Sequence, residues 1–301
     1  MQNQSVTAIV VTYQPNLEVL SQLLNALVPQ VTSVVIVNNS PHCDLAAWAK
    51  KRDMSAIELI QLGKNLGIAA AQNIGIQWAR NRQAEFVLLM DQDSIPAPDM
   101  VLKLVSAISK QASPAAVGPR YLDERQDNPL SPFVRIRGLR LERCVCTSWD
   151  SIIPVDFLIS SGSLIPMSVL DKIGNMREDL FIDYVDTEWI WRAQHHGLQS
   201  YGVYSAHMLH SLGDNPVNFL GENITLRGSL RHYYMFRNAI LLYKEPWIPL
   251  NYKMVDGWRL VMKYILYSLL ARPRLAHWKM MTLGMWHGMI GRAGELDGDS
   301  F

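Results

Sequence analysis

The chain is poor in several things, and each absence removes a class of function. Of its 301 residues only three are cysteine, Cys43, Cys144 and Cys146. That count is too low and too uneven for a disulfide framework, so a reducing compartment is expected. Cys144-Val145-Cys146 could be half a metal site, but no second pair stands at zinc-ligand spacing. The plainer reading is two small residues on a strand. No charge of either sign dominates: 28 Lys and Arg meet 27 Asp and Glu, for a net charge of +1. Such a balance gives no global field for nucleic acid, and none is expected as a partner. The N-terminus, "MQNQSVTAIVVTYQP", lacks the basic stretch and longer apolar run of a signal peptide. No run reaches the ~20 apolar residues of a membrane span. These absences point to the cytoplasm. Gly-x-Gly-x-x-Gly does not follow the first apolar run, which removes a dinucleotide-dependent oxidoreductase.

Apolar material is abundant, at 49% of residues, enough to bury the core of one large or two intimate domains. "VTAIVVTY" is a continuous β-branched run that predicts a buried strand ending at Gln14-Pro15. "LEVLSQLLNALV" follows with helical spacing, and "VTSVVIVNNS" predicts a second strand. "LAAWAKKRDM" and "IAAAQNIGIQWARNR" predict helices; "IELIQLG" and "AEFVLLMD" predict strands. The alternation argues for a mainly parallel sheet covered by helices. Such sheets bind ligands beyond the carboxyl ends of their strands. Thr12, Tyr13, Gln14, Asn38, Asn39, Gly63 to Gly67 and Asp91 to Asp93 are therefore the residues of interest. "FVRIRGLRLERCVCTSW" predicts antiparallel strands, and the chain from Asp214 reads as mostly helical. The expected organisation is a ligand-binding half over 1–117, a second half over 118–213 and a helical extension over 214–301.

In "FVLLMDQDSIP" five apolar residues run into Asp91-Gln92-Asp93. With a strand period of two, both carboxylates point the same way and repel unless something cationic sits between them. A hard divalent ion such as Mg²⁺ or Mn²⁺ suits them. Alternatively Asp93 caps the helix that follows.

At this point a resemblance can be stated. "AIVVTYQP", "VIVNNS", "GKNLGIAAAQNIGI", "LLMDQDS", "SSGSLI" and "FIDYVDTEW…R" occur in the order seen in family 2 glycosyltransferases. The chain resembles them to about Asn238, and "GMWHGMIGRAG" extends the likeness. It looks like the rhamnosyltransferase branch, which uses dTDP-L-rhamnose to build bacterial surface polysaccharide such as O-antigen. The resemblance implies a GT-A fold, a mixed, mainly parallel sheet with flanking helices, an inverting mechanism and a divalent metal. Asp91 and Asp93 match the family's DXD, with Asp91 also beside the donor diphosphate. Thr12, Tyr13 and Gln14 match the first-strand turn of the nucleotide site. Asn38 departs from the pattern, because many relatives carry an acid there to read the pyrimidine; another nucleotide-sugar donor stays open for that reason. Asn65, Gly67 and Asn73 match the Asn-Leu-Gly…Asn segment, where Gly67 could allow close approach of backbone to ligand. Asn65 could equally cap the helix.

The resemblance places Asp186 at the family's catalytic base. Inverting transfer needs one carboxylate to take the acceptor hydroxyl's proton. Glu188 and Trp189 are expected on the acceptor side, although Glu188 and Arg192 could be only a surface ion pair at i,i+4. Asp183 is expected in a turn. Ser161 and Gly162 of "SSGSLI" are expected under the acceptor, or in a tight turn. His210 is a third metal candidate, though a lone His is more often structural. Arg237 of "RHYYMFRN" could meet the diphosphate through its guanidinium fork. From Gly257 to Gly294 the sequence has six Lys or Arg, no Asp or Glu, and Trp258, Trp278 and Trp286. This composition suits helices lying on an anionic bilayer. A helical pair packed on the catalytic domain with its cations in solvent, or serving a homodimer, explains it too. Arg135, Arg137, Arg140 and Arg143 form a smaller basic stripe, facing either the acceptor's lipid diphosphate or solvent from an edge strand. The expected partners are thus a nucleotide sugar, a lipid-linked saccharide and the inner face of the cytoplasmic membrane. Two other classes fit the sequence less well. A nucleotide-sugar pyrophosphorylase needs a Gly-rich loop and a cation soon after strand one, and "TYQPNLE" offers neither. A non-catalytic scaffold of polysaccharide assembly would not need Asp91, Asp93 and Asp186 together.

Overall fold

A computed structural model describes residues 4–43, 45–50, 57–122, 132–146, 148–210, 216–219, 222–225 and 228–296. In chain order the elements begin β1 (Val6–Thr12), α1 (Leu17–Leu27), β2 (Ser33–Asn38), α2 (Ala46–Ala49), β3 (Ile57–Gln61), α3 (Ile68–Asn81), β4 (Phe86–Asp91), β5 (Ser94–Pro96) and α4 (Met100–Ile108). They continue with β6 (Pro114–Leu122), β7 (Val134–Arg137), β8 (Arg140–Arg143), β9 (Ile152–Val155), β10 (Leu164–Pro166), α5 (Met167–Ile173), α6 (Val185–His195) and β11 (Gln199–His210). β12 (Pro216–Phe219), β13 (Glu222–Thr225), α7 (Ser229–Lys244), α8 (Leu250–Leu270) and α9 (Arg274–Ile290) complete the chain.

The β-branched runs form the sheet centre, because a strand covered by helices on both faces has no polar side. β1 is buried along its whole length. Its side chains alternate between two cores. Ile9 and Val11 meet α3, α5 and α6, while Ala8 and Val10 meet α1 and α4. α1 starts at Asn16, whose carboxamide oxygen accepts from the N–H groups of Glu18 and Val19 at 2.9 and 3.3 Å. It buries Leu20, Leu23, Leu24 and Leu27, one helical face.

The main sheet runs β3-β2-β1-β4-β10-β6-β11-β5, with β9 also on β11. The first four strands are parallel, whereas β10 is antiparallel to β4 and β6. From β1 the chain builds β2 and β3 to one side, then returns to place β4 on the other. This is a topological switch, where the strand ends splay into a crevice. Thr12 and Asp91 end the two strands that flank it.

The structure bears on three expectations. The 117/118 boundary falls inside β6, so the two halves share one sheet; the 213/214 boundary lies outside the described residues. The sequence from Asp214 yields the hairpin β12–β13 before it becomes helical. Of the helix expected in "LAAWAKKRDM" the structure describes only Ala46–Ala49, and residues 51–54 lie outside the described set.

α9 packs on α7 through Gly284 and Gly288. A Cβ on Gly284 would lie 2.4 Å from the Tyr233 carbonyl oxygen, and one on Gly288 2.8 Å from that of Arg237. The two helices touch backbone to backbone because those side chains are missing.

Candidate active site

The β4 strand delivers Asp91 to the crevice, and the chain turns at Gln92-Asp93 before β5. The two aspartates therefore converge through a turn, not through strand alternation. Asp93 does not cap a helix, since β5 intervenes before α4. β11 brings His210 opposite Ser94, and the His210 Nδ1 lies 3.6 Å from an Asp93 carboxylate oxygen. Asp91, Asp93 and His210 each offer a ligand atom, all within 4.8 Å of one another. A hydrogen-bond chain fixes them from beneath. The Asp91 N–H donates to Ser161 Oγ at 3.0 Å, and Ser161 Oγ donates to Ser94 Oγ at 2.8 Å. Ser94 Oγ and His210 Nδ1 share a bond of 2.7 Å.

Burial pushes the Asp91 pKa up to about 6; His210 pulls it down, and the charges of Asp93 and Asp186 push it further up. Two carboxylates and an imidazole so placed form a set that a hard cation would satisfy, because it would relieve both the burial and the like charge. The residues fit a divalent ion.

The middle residue of the motif carries no evident chemistry in the sequence, yet it has a definite task. Gln92 accepts from the Tyr13 N–H at 2.7 Å and donates to the Tyr13 carbonyl at 3.1 Å. This pair of bonds joins the β4 turn to the β1 turn across the switch point. Tyr13 keeps 44% of its surface exposed. Gln14 adopts a φ of 46° and donates its N–H to Ser40 Oγ at 2.7 Å.

Asn38 spends its carboxamide on partners within the protein. Its oxygen accepts from Thr12 Oγ1 at 3.2 Å and from the Ser40 N–H at 3.3 Å. Its amide donates to the Cys43 carbonyl and to Gln61 Oε1. It is fully buried, as is Thr12; both close the floor of the crevice. Asn65 accepts from Asn39 Nδ2 and from the Gly67 N–H, forming a turn and not a cap. Gly67 has a φ of 83°, and a Cβ there would meet the Phe181 carbonyl oxygen at 2.6 Å. Its glycine is required by Phe181. Asn73 donates to the Met176 carbonyl and to Glu178 Oε1, and accepts from the Met176 N–H. It ties α3 to the segment leading to Asp186.

That segment is strained. Phe181, Asp183 and Tyr184 have φ of 64°, 63° and 64°, each a conformation costing about 1–3 kcal/mol for a residue with a side chain. Helix α7 holds it in place. Asn238 Nδ2 shares its protons among the carbonyls of Leu180, Ile182 and Asp183, at 2.8, 2.8 and 2.9 Å. Arg237 donates to the carbonyls of Asp179, Leu180 and Gly294 and to Asn238 Oδ1. It is fully buried, and its donors serve backbone carbonyls and Asn238. Arg231, on the first turn of α7, is the guanidinium in the field of the site. It is 40% exposed, pairs with Asp183 at 3.2 Å, and lowers the Asp91 pKa.

Asp186 lies in the first turn of α6 and accepts from the Thr187 N–H at 2.7 Å. Burial, with the Asp183 charge beyond it, raises its pKa above the usual carboxylate range. It lines a cavity of about 220 Å³ with Arg120, Tyr121, Phe133, Phe157 and Leu158 among its walls. The acceptor-side expectations change here. Glu188 is 2% exposed and forms a bidentate pair with Arg192 at 2.9 and 3.0 Å. Arg192 also donates to the carbonyls of Ile173 and Asn175. The pair is a buried brace, not a surface ion pair. Trp189 donates to the Gly174 carbonyl at 3.1 Å and is 2% exposed. The space it shares with Asp186 is about 20 Å³, room for one water at most. Ser161 stands beneath the aspartate–histidine cluster, and Gly162 packs on Pro119.

A switch-point crevice carrying this aspartate–histidine cluster, next to a half-buried carboxylate over a cavity, suits a GT-A glycosyltransferase. The chain belongs to glycosyl transferase family 2, whose sequence model matches residues 7–172. It is 36% identical to the dTDP-rhamnosyl transferase RfbF of Shigella flexneri over 250 residues, 82% of this chain and 83% of that one. It is 22% identical to the low-salt glycan biosynthesis hexosyltransferase Agl10 of Haloferax volcanii, over 88% and 85% of the two chains. Among solved structures, GalNAc-T7 with UDP, GalNAc and Mn²⁺ superposes with a TM-score of 0.67 at 11% identity. This match covers 96% of this chain, which spans 57% of that one. S. aureus TarS 1-349 gives 0.60 at 16% identity, covering 95% and 81%. These two likenesses speak for the fold.

Proposed function

We propose that the chain is an inverting rhamnosyltransferase. It moves L-rhamnose from dTDP-L-rhamnose to a hydroxyl of a lipid-linked saccharide, in bacterial surface polysaccharide such as O-antigen, at the inner face of the cytoplasmic membrane. The observation that carries the reading is the meeting of Asp91, Asp93 and His210 at the switch point, with Asp186 close enough for its charge to act on Asp91. The donor comes from the likeness to the Shigella flexneri dTDP-rhamnosyl transferase.

In this reading Tyr13 and Gln14 meet the nucleotide, and Gln92 fixes Tyr13 for that contact. Asp91, Asp93 and His210 would hold a Mg²⁺ or Mn²⁺, which when bound supplies a Lewis acid for the leaving diphosphate. Asp186 takes the proton of the acceptor hydroxyl as its oxygen bonds to the anomeric carbon and the bond to the diphosphate oxygen breaks. A raised pKa makes Asp186 a better base than a free carboxylate, provided the pH keeps it ionised. The cavity beside it receives the acceptor sugar. Arg231 faces the departing charge.

The test is donor selection. Purified protein with Mn²⁺ is given a panel of nucleotide sugars, and free nucleoside diphosphate is followed with and without EDTA. Metal-dependent release from dTDP-L-rhamnose above the other donors is expected. Release from a different donor alone would remove the rhamnose assignment and keep the transferase.

A further inference from the structure

We propose that α8 and α9 form one in-plane docking surface for an anionic bilayer, and that this surface sets the acceptor cavity at the membrane. The proposal rests on the lipid-linked acceptor only for its biological purpose.

Helix α8 has two opposed stripes. Tyr252, Leu260 and Tyr267 are buried against the protein. Asp256, on the same side, accepts hydrogen bonds from Tyr184 at 2.9 Å and Tyr243 at 2.6 Å. On the other side stand Leu250, Met254, Trp258, Val261, Ile265 and Leu269, spaced four, four, three, four and four residues apart. They are 47–71% exposed. A helix on a soluble surface turns polar residues outward; this one turns apolar residues both ways. α9 repeats the pattern. Its inner side carries Gly284 and Gly288 against α7, and its outer side carries Leu275, Trp278, Trp286 and Met289, 49–80% exposed. The exposed hydrogen bond between Tyr264 and Thr282, 2.9 Å, joins the two helices along this outer side. Among the described residues, twelve of the nineteen exposed large apolar side chains lie on α8 and α9. So dense an apolar face marks a partner.

Charge selects the partner. Six cations and no acid occupy Gly257 to Gly294, and Arg259, Arg272, Arg274 and Lys279 are exposed. A second copy docked on the same face would set these cations against their own kind. Anionic headgroups complement them, and Trp258, Trp278 and Trp286 suit the boundary between headgroup and acyl chain. Among the described residues no helix is long and apolar enough to cross a membrane, so the pair lies along the surface.

The inner side of α8 adjoins the site. Tyr252 packs on Trp191 and Phe157, ring centroids 5.1 and 6.0 Å away, and Phe157 lines the Asp186 cavity. Asp256 holds Tyr184, two residues before Asp186. One helix thickness, about 10–12 Å, separates the outer stripe from the base-bearing turn. Docking would bring that cavity within reach of a saccharide anchored in lipid.

The test is flotation of the full chain with vesicles of phosphatidylcholine, alone or mixed with phosphatidylglycerol, with no donor or acceptor present. Binding to the mixed vesicles that weakens with salt is expected. The double substitution Trp258→Ser/Ile265→Ser, on exposed positions, should reduce it at least about tenfold, with the thermal midpoint and donor turnover in free solution unchanged. Arg272→Glu/Arg274→Glu should abolish the preference for phosphatidylglycerol. No binding to either vesicle, or equal binding to both, overturns the proposal. So does a solution dimer that Trp258→Ser/Ile265→Ser dissociates, since a second copy would then own the face. Because the assay omits the donor, its failure leaves the rhamnosyltransferase reading untouched, and the donor panel's failure leaves the docking result intact.

Discussion

Asp186 is a carboxylate kept in surroundings that disfavour its charge. Its folded pKa is raised, so the folded state binds the proton more tightly than the unfolded chain. The stability this gives is present below the unfolded value and is lost as pH rises through the folded one. Asp186→Asn removes that cost. Its melting temperature should exceed the wild type's at pH 8, and the gap should close towards pH 4. Turnover in the same variant should fall by about 10²–10⁴. A loss below tenfold would remove Asp186 from the base role. At this scale the sequence is most readable where a chemistry belongs to a single residue type: Asp91 and Asp93 do meet at one cluster, and Asp186 does line a cavity. It is silent on the partners that Asn38, Arg237 and Glu188 find inside the protein. A polar side chain in a motif has the same donors whether its partner is a ligand or a buried carbonyl, and only burial tells which.

The turn from Phe181 to Tyr184 is an element that its own residues do not favour. Three side-chain-bearing residues at positive φ persist there because α7 answers their carbonyls with the Asn238 amide and the Arg237 guanidinium. Asn238→Ala should leave those carbonyls short of donors and destabilise the fold by about 1–3 kcal/mol. It should also lower kcat more than it raises the donor KM, because the turn carries the base and not the nucleotide. Chemical denaturation with steady-state kinetics checks both, and unchanged kcat would reduce the clamp to a stability device. The four strands and the helices α1 and α3 of the first 91 residues were legible from period and β-branching. The turn was not, since strain has no composition, and neither was β12–β13, whose short strands carry a weak period.

Across the whole molecule, the order of strands makes the site. β1 and β4 are neighbours because the chain reverses direction of growth between them, and this sets Tyr13 beside Gln92 and opens the crevice to Asp91. β11 then adds His210 from more than a hundred residues away. Metal binding should report this assembly. Asp91 must lose its proton to act as a ligand, and its pKa stands at about 6. Mn²⁺ affinity by calorimetry should be flat from pH 7 to 8 and fall roughly tenfold per unit below about 6. Affinity that stays flat to about pH 5 would show that Asp91 is not a ligand.

The sequence alone determined the layered α/β core and its order of elements, because hydrophobic period and β-branching are properties of short windows. It also determined the acids at the strand end and the family to which they point. Tertiary structure decided the rest: that the two halves share a sheet, that Arg237 and Asn238 serve a strained turn, and that α8 carries apolar residues on both sides. Composition shows how much of a helix is apolar; only packing shows which of its faces the protein has already covered.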